Sequence, residues 1–363
     1  MHLLLAITGH GFGHAAQTAP VIAALQRRIP SLQLTVRSDL AEAAIRDFLP
    51  MVKTIRRPVG DFGMAMANAF DVDAEASGRR YRDLHAVWPT IVAVEAAGIL
   101  ADQPDLVVSN TNYLALAAAH HAGIPSIFYS SLTWFDIYPV YCGARPEAEA
   151  VLADMAAAYR CADLHVMPTP FLPTGIGPVI EVGPVARSGV NRRDEMMAAL
   201  AGAGKRTSRF LVLVSLGGIT TPLATAAWPE QEGVTFVFVG SPGAARPDMV
   251  SLADLSVSFL DCLASVDALI TKPGYGSFVE AACHGVPVLY ADRGDWPDQP
   301  ALSSWLHRHT PAACIERAAL DSGAFAPELR ALLTTPRRPP AAAPGAEQAA
   351  DLIADRLRFL PRR

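Results

Sequence analysis

At 363 residues the chain exceeds what one compact core usually holds, so two domains are the starting expectation. About half of it is hydrophobic (51%) and only 18% is charged, which excludes intrinsic disorder and suits a packed α/β protein. A net charge of −5 with no sustained Lys/Arg run argues against a nucleic-acid partner; the one basic cluster, Arg356, Arg358, Arg362 and Arg363, lies in the tail.

Short apolar runs alternate with Ala-rich or amphipathic segments, the pattern of parallel sheets flanked by helices. The first half predicts strands at 3–7, 32–37, 106–109, 126–129 and 164–167, with helices between them that include 15–28 and 112–122. The run from Leu3 to Ile7 is too short for a secretory signal, and no stretch approaches the ~20 apolar residues of a membrane span. Peripheral membrane contact is left open. From Val59 to Pro89 the rhythm breaks: Gly60, Gly63, Asp71, Asp73 and Gly78 precede a helical stretch around Tyr81 to Trp88. An insertion of that length in a compact domain usually serves function or moves.

A polar, Gly-containing stretch near 181–209 marks a boundary, after which strands resume at 210–215, 234–239, 256–259, 267–271 and 287–291. Thr334 to Pro344 reads as a Pro-rich linker. The expected domains are therefore 1–185 and 206–335, with a last helix at 345–360 packing back on the first. The cysteines (Cys142, Cys161, Cys262, Cys283, Cys314) are scattered, odd in number and without Cys/His ligand spacing. Neither a disulfide framework nor a structural zinc is indicated, and a reducing cytoplasm fits.

After the first strand comes Thr8-Gly-His-Gly-Phe-Gly-His14, whose glycines allow a tight turn and close approach to a ligand. A dinucleotide site would want Gly or Ala at position 14 and an acid nearer than Asp39, so this turn counts against a nicotinamide enzyme. A histidine at a helix start on the carboxyl edge of a sheet suits another task. It can take a proton from a hydroxyl, since its ordinary pKa lies near neutrality. The competing reading has His14 capping the helix and His10 solvating the loop; on this turn His14 is the candidate base and His10 the second.

The richest segment runs from Asp267 to Leu289. Lys272-Pro-Gly274-Tyr275-Gly276-Ser277 turns out of a strand, and Ser277 is expected to open a helix that stops at Gly285. Free N–H groups and the helix dipole there make an anion site suited to a diphosphate. Glu280 can accept both hydroxyls of a ribose, but Ser277-x-x-Glu280 is also the spacing of a capping box, and spacing does not separate the two. After strand 287–291, Asp298-Gln299 offers an acid and an amide to sugar hydroxyls. Ser215-Leu-Gly217-Gly218 adds another backbone-exposing turn on the same edge. Asp71-Val-Asp73 has the form of a metal-binding Asp-x-Asp, yet no apolar strand precedes it, so it is assigned to the insertion and no metal or cofactor is called for.

At these residues the chain resembles GT-B glycosyltransferases. Thr271 to Gln299 looks like the donor-binding region of MurG-type and UDP-glucuronosyltransferase-like enzymes. Thr8 to His14, Ser130-Ser-Leu-Thr-Trp-Phe-Asp-Ile-Tyr138 and Lys272-Pro-Gly-Tyr-Gly look like the glycosyltransferase-like half of L-arabinokinases, and the likeness spans 1 to about 310. It implies an α/β GT-B fold, two Rossmann-like doubly wound domains facing across a cleft, with the acceptor in the first and the nucleotide-sugar in the second. It also implies inverting, metal-independent transfer from a nucleoside-diphosphate sugar, UDP favoured, to an acceptor hydroxyl.

The resemblance assigns the base to His14 and the diphosphate loop to Gly274–Ser277; the glycine turns themselves put Gly11, Gly13, Gly217, Gly218 and Lys272 around the donor. Glu280 would hold the ribose, Asp298 and Gln299 the donor sugar, and the Phe259-Leu260-Asp261 loop the nucleobase. Asn110, Asn112, Trp134, Asp136 and Tyr138 are expected on the acceptor side. The kinase half of arabinokinases has no counterpart in the sequence, and the MurG-type acceptor segment is not matched, so neither kinase activity nor a lipid-sugar acceptor carries over. Two alternatives stand beside the transferase: a nucleotide-sugar epimerase, which would need first-domain acids facing the donor sugar, and a non-catalytic sugar-nucleotide sensor.

Overall fold

The computed structural model describes residues 1–219 and 221–359; Arg362, Arg363 and the end of the last expected helix at 360 lie outside the described residues. Two all-parallel sheets organise the chain. The first joins β1 (His2–Ile7), β2 (Gln33–Arg37), β3 (Thr54–Arg56), β4 (Leu106–Asn110), β5 (Ser126–Tyr129), β6 (Leu164–Pro168) and β7 (Ile180–Val182) in the order β3-β2-β1-β4-β5-β6-β7. The second joins β8 (Phe210–Ser215), β9 (Val234–Phe238), β10 (Met249–Ser251), β11 (Ala268–Thr271), β12 (Val288–Ala291) and β13 (Ala312–Ile315) in the order β10-β9-β8-β11-β12-β13. Their unbroken apolar runs follow from burial on both faces: Leu3 to Ile7 in β1 and Leu211 to Leu213 in β8 are wholly inaccessible.

In each sheet the strand order reverses beside the domain's first strand, between β1 and β4 and again between β8 and β11. Loops leaving the two strands of such a switch point diverge and open a crevice at the carboxyl edge. The turns after β1, β4, β8 and β11 are thus the ones the topology presents to a ligand, and the two edges face each other.

One expected strand is absent. Residues 256–259 do not pair; Met249–Ser251 forms the sheet edge instead, and Ser251 caps a 3-10 turn over Leu252–Leu255. Ser256 then turns left-handed (φ 53°), and Ser258 caps the helix Phe259–Ser265 by accepting from the Asp261 N–H. The apolar residues Val257, Phe259 and Leu260 suggest a strand, but hydroxyls that bond their own backbone compete with a ladder.

The last helix, Gly345–Arg358, lies along Gly13–Arg28 and belongs to the first domain's core through Ala349, Ala350, Ile353, Ala354 and Leu357. Arg28 pairs with Glu347 and Asp351 at its rim, each at 2.6 Å. The chain therefore crosses between domains twice, once after β7 and once before this helix. No single helix among the described residues is long and apolar enough to cross a membrane.

The insertion of the first domain forms a third connection. Ala69 and Phe70 are buried in the apolar cluster around Val212, Phe236 and Ile270 of the second domain. The Ala69 N–H donates to Thr221 Oγ1 at 2.8 Å, and Arg317 lies over the Phe70 ring while pairing with Asp71 at 2.6 Å. Asp71 pairs with Arg317 and accepts from Asn68, and Asp73 caps the helix Ala74–His85. Phe70→Ala should cost about 3–5 kcal/mol in denaturant unfolding, as for a buried aromatic. Asp71→Asn, which breaks a half-exposed ion pair, should cost at most about 1 kcal/mol. Equal losses would shift the anchor from the ring to the charge.

Candidate active site

The facing edges enclose a cleft of about 370 Å³. Gly11 takes the left-handed conformation (φ 69°) that lets the first turn reverse before the helix Gly13–Arg28. Gly218 is needed for another reason: a side chain there would lie 2.7 Å from the Phe12 ring. The glycine turns of the two domains meet at that point, and Gly11, Gly13, Gly217 and Gly218 all line the cleft.

His14 does not cap its helix, since the cap position is Phe12 and no side chain bonds there. Its Nδ1 lies 2.8 Å from Asn110 Oδ1. The Asn110 amide nitrogen donates to Gln17 Oε1 (3.1 Å) and Thr18 Oγ1 (3.0 Å), which turns its oxygen toward the imidazole. Nδ1 therefore carries the hydrogen, and Nε2 keeps the lone pair on a ring that lines the cleft. Next to Asn110, Thr111 holds φ 67°, a region β-branched residues avoid, and Tyr159 fixes it by donating to its carbonyl at 2.8 Å. Asn110 thus lies beneath the histidine, wholly buried, and not on the acceptor wall.

Burial pushes the His14 pKa down to about 4, with the Asn110 bond partly opposing it. The imidazole is neutral at pH 7, but the titration near neutrality expected of a base does not hold, because the closed cleft desolvates the cation. His10 is held down to about 3 by burial and by the charges of His14, Arg293 and Lys272. Its ring stacks parallel to Trp296 at 6.1 Å and meets Trp134 edge-on at 5.1 Å.

Across the cleft the helix is Tyr275–Cys283, two residues earlier than expected, with Gly274 at its cap and no side-chain cap. Ser277 is the third helical residue, so the capping box does not form. A glycine cap leaves the first-turn N–H groups unclaimed by a side chain, and Gly274, Tyr275, Gly276 and Ser277 line the cleft beside Lys272. The Tyr275 hydroxyl accepts from the Val185 N–H and donates to the Thr169 carbonyl, tying the helix to the first domain. Glu280 reaches the cleft but is held by Arg187, Nε to Oε1 at 2.7 Å and Nη2 to Oε2 at 3.2 Å.

Among the described residues Lys272 makes no ion pair, and its hydrogen bond is a long one (3.5 Å) to the Pro273 carbonyl. Burial and nearby Arg293 lower it to about 7, opposed by Asp298. Asp298 is raised to about 6 by burial, against Arg293 and Lys272, and its Oδ1 has no partner.

Several expected residues stand elsewhere. Gln299 does not face the cleft: its side chain accepts from the Arg293 N–H at 2.9 Å and donates to Asp292, stitching its own loop. Phe259 lines the cleft, whereas the Leu260 carbonyl packs against Gly189 and Asp261 accepts from the Val190 N–H. Of the acceptor-side group only Trp134 lines the cleft. Asp136 closes a box with Thr133 at the start of Trp134–Cys142, Asn112 caps Tyr113–His121, and Tyr138 is wholly buried. Arg187, Arg293, Trp296 and Phe12 also line the cleft, though no motif marks them in the sequence. Trp296 was the most legible of these, an indole within an otherwise polar loop after β12.

No family model matches the chain. It is 26% identical over 336 residues to an L-arabinokinase of Arabidopsis thaliana, a match covering 90% of this chain and 32% of that one, so the chain spans about a third of that relative's length. Among solved structures it resembles the glycotransferase of kitacinnamycin (TM-score 0.64, 20% identity, 99% of both chains). A UDP-glucosyltransferase from Polygonum tinctorium capable of glucosylating indoxyl aligns at TM-score 0.61 and 14% identity over 98% of each chain. A spinosyn rhamnosyltransferase aligns at 0.59 and 17%, over 100% of this chain and 97% of that one. By strand order, facing edges and these matches together, the chain has the GT-B fold of glycosyltransferases.

Proposed function

We propose that the protein is an inverting, metal-independent glycosyltransferase that moves a sugar from a nucleoside-diphosphate sugar, UDP favoured, to an acceptor hydroxyl. The observation that carries this reading is the pairing of one lone-pair imidazole nitrogen, His14 Nε2, with an uncapped helix start on the opposite wall of one cleft. The diphosphate lies at Gly274–Ser277 and Gly217–Gly218 with Lys272 beside it, the ribose at Glu280, the base near Phe259 and the donor sugar by Asp298. His14 Nε2 takes the acceptor proton as the hydroxyl oxygen attacks the anomeric carbon. The C–O bond to the diphosphate breaks with its electron pair, and backbone N–H groups, the helix dipole and Lys272 stabilise the leaving charge. Asn110 orients the base, and His10 serves as a wall of the sugar site. The five free cysteines fit a reducing cytoplasm.

The epimerase reading has less support, since the first-domain side chains of the cleft include no carboxylate. A sensor lacking turnover differs from the transferase only in chemistry, which a His14 variant decides. His14→Ala should fold and keep UDP affinity while turnover falls about 10²–10⁴-fold. Equal turnover would pass the role to His10, and the sensor reading predicts no turnover in either protein.

The pH profile follows from the charges. His14 is the active neutral form above its lowered pKa, so the acid limb of kcat/KM should lie near pH 4 and not 6.5. Lys272 binds the diphosphate as a cation, so kcat/KM should fall as pH rises through about 7, while kcat falls later because bound diphosphate holds the proton. An acid limb at 6.5 would mean that the imidazole is solvated in the free protein.

Glu280→Gln should weaken UDP binding by about 1–3 kcal/mol, since it does not cap the helix and loses a charged acceptor. If the variant binds as wild type does, and 2′-deoxy-UDP binds as well as UDP, the ribose assignment falls. Turnover should survive a chelator; loss with recovery on adding Mg²⁺ or Mn²⁺ would overturn the metal-independent mechanism.

A further inference from the structure

Arg293 is the least explained charge in the molecule. It follows β12, is 9% exposed, and its guanidinium donates no described hydrogen bond to the protein. Its Nε is buried without a partner, and its remaining nitrogens keep access to the cleft that Arg293 lines. No described carboxylate forms an ion pair with it. The guanidinium carbon lies 3.6 Å from the centre of the Trp296 ring, and Asp298 is the foremost of the charges that act on it. A guanidinium has five donors, and those that face the cleft are open to a ligand.

Arg293 is near enough to Lys272 to lower its pKa, yet it stands on a different loop. Lys272 lies beside the diphosphate loops, 3.9 Å from where side chains would begin at both Gly217 and Gly274, while Arg293 is on the Trp296 loop facing the first domain. That loop is pinned from the other side by Tyr141, whose hydroxyl donates to Asp295 at 2.9 Å. Trp134, Trp296 and the His10 ring pack into an aromatic wall, with His14 6.0 Å from Trp134 and Arg293 over Trp296. A planar fork of donors beside that wall suits a carboxylate or phosphate.

We propose that Arg293 forms a second anion subsite, distinct from that of the diphosphate, for a carboxylate or phosphate on a sugar ring bound in the cleft beside the Trp296 loop. The proposal rests on the glycosyltransferase reading for where the diphosphate lies. The ring is either the donor sugar or the acceptor, and the chemistry recognised is the same.

The test is calorimetric titration of the full chain and of Arg293→Gln and Arg293→Lys. One arm compares UDP-glucose with UDP-glucuronate. The other, with UDP saturating, compares glucose with glucuronate and glucose 6-phosphate. In one arm the anionic ligand should bind about tenfold or more tightly than its neutral partner, the scale of charge-assisted bidentate hydrogen bonds. Arg293→Gln should abolish that preference, Arg293→Lys should keep part of it, and UDP affinity should stay within about twofold, the outcome that separates this subsite from that of the diphosphate. The Gln variant should melt no lower than wild type, because it removes an unpaired buried charge.

No preference in either arm, or a loss of UDP affinity as large as that for the anionic sugar, overturns the subsite. A markedly lower melting point makes Arg293 structural and overturns it as well. If wild type does not bind UDP, the glycosyltransferase reading falls, and the subsite is still decided by whether free glucuronate or glucose 6-phosphate binds in an Arg293-dependent way.

Discussion

The contact of Phe12 with the bare backbone at Gly218 sets how closely the two sheet edges approach, and the chemistry of the cleft depends on that spacing. At this separation water is largely replaced by protein, and the cost of charging a group dominates every other influence on it. His14, His10 and Lys272 are all driven toward their neutral forms, and so is Asp298, although its sign is opposite. The lowered pKa values of His14 and His10 therefore result from burial in the closed cleft and not from the first turn alone.

The same closure makes the cleft short of negative charge. Among the described residues Lys272 and Arg293 form no ion pair, and Asp298 beside them is itself pushed toward protonation. Glu280 is neutralised by Arg187. A cleft with that balance of charge would be stabilised by any anion that binds its folded form. The strain at Thr111, fixed by Tyr159 beneath the histidine, is a second instance of local cost kept at the site.

Much of this was legible in the sequence because parallel strands buried on both faces leave long apolar runs, as at Leu3 to Ile7 and Leu211 to Leu213. Turns at a sheet's carboxyl edge must also show their glycines. What the sequence hid was side-chain commitment. Gln299 looks like a sugar ligand until its amide is found closing its own loop, and Asp136 and Asn112 look like cleft residues until their helix caps are counted. Arg187 was invisible because its partner, Glu280, is far away in sequence. Residues 256–259 misled because an apolar run of that length carries no sign of the serine caps around it.

The return of Gly345–Arg358 to the first domain has a consequence for how the molecule is made. In terms of connectivity the second domain is inserted into the first, whose core lacks Ala349, Ile353 and Leu357 until synthesis reaches them. As the chain emerges, β8–β13 can complete their sheet while the earlier-made half still exposes the side of Gly13–Arg28 that the last helix covers. The part translated first is the part finished last, and the nascent chain must keep that helical face from other contacts until its final turns arrive.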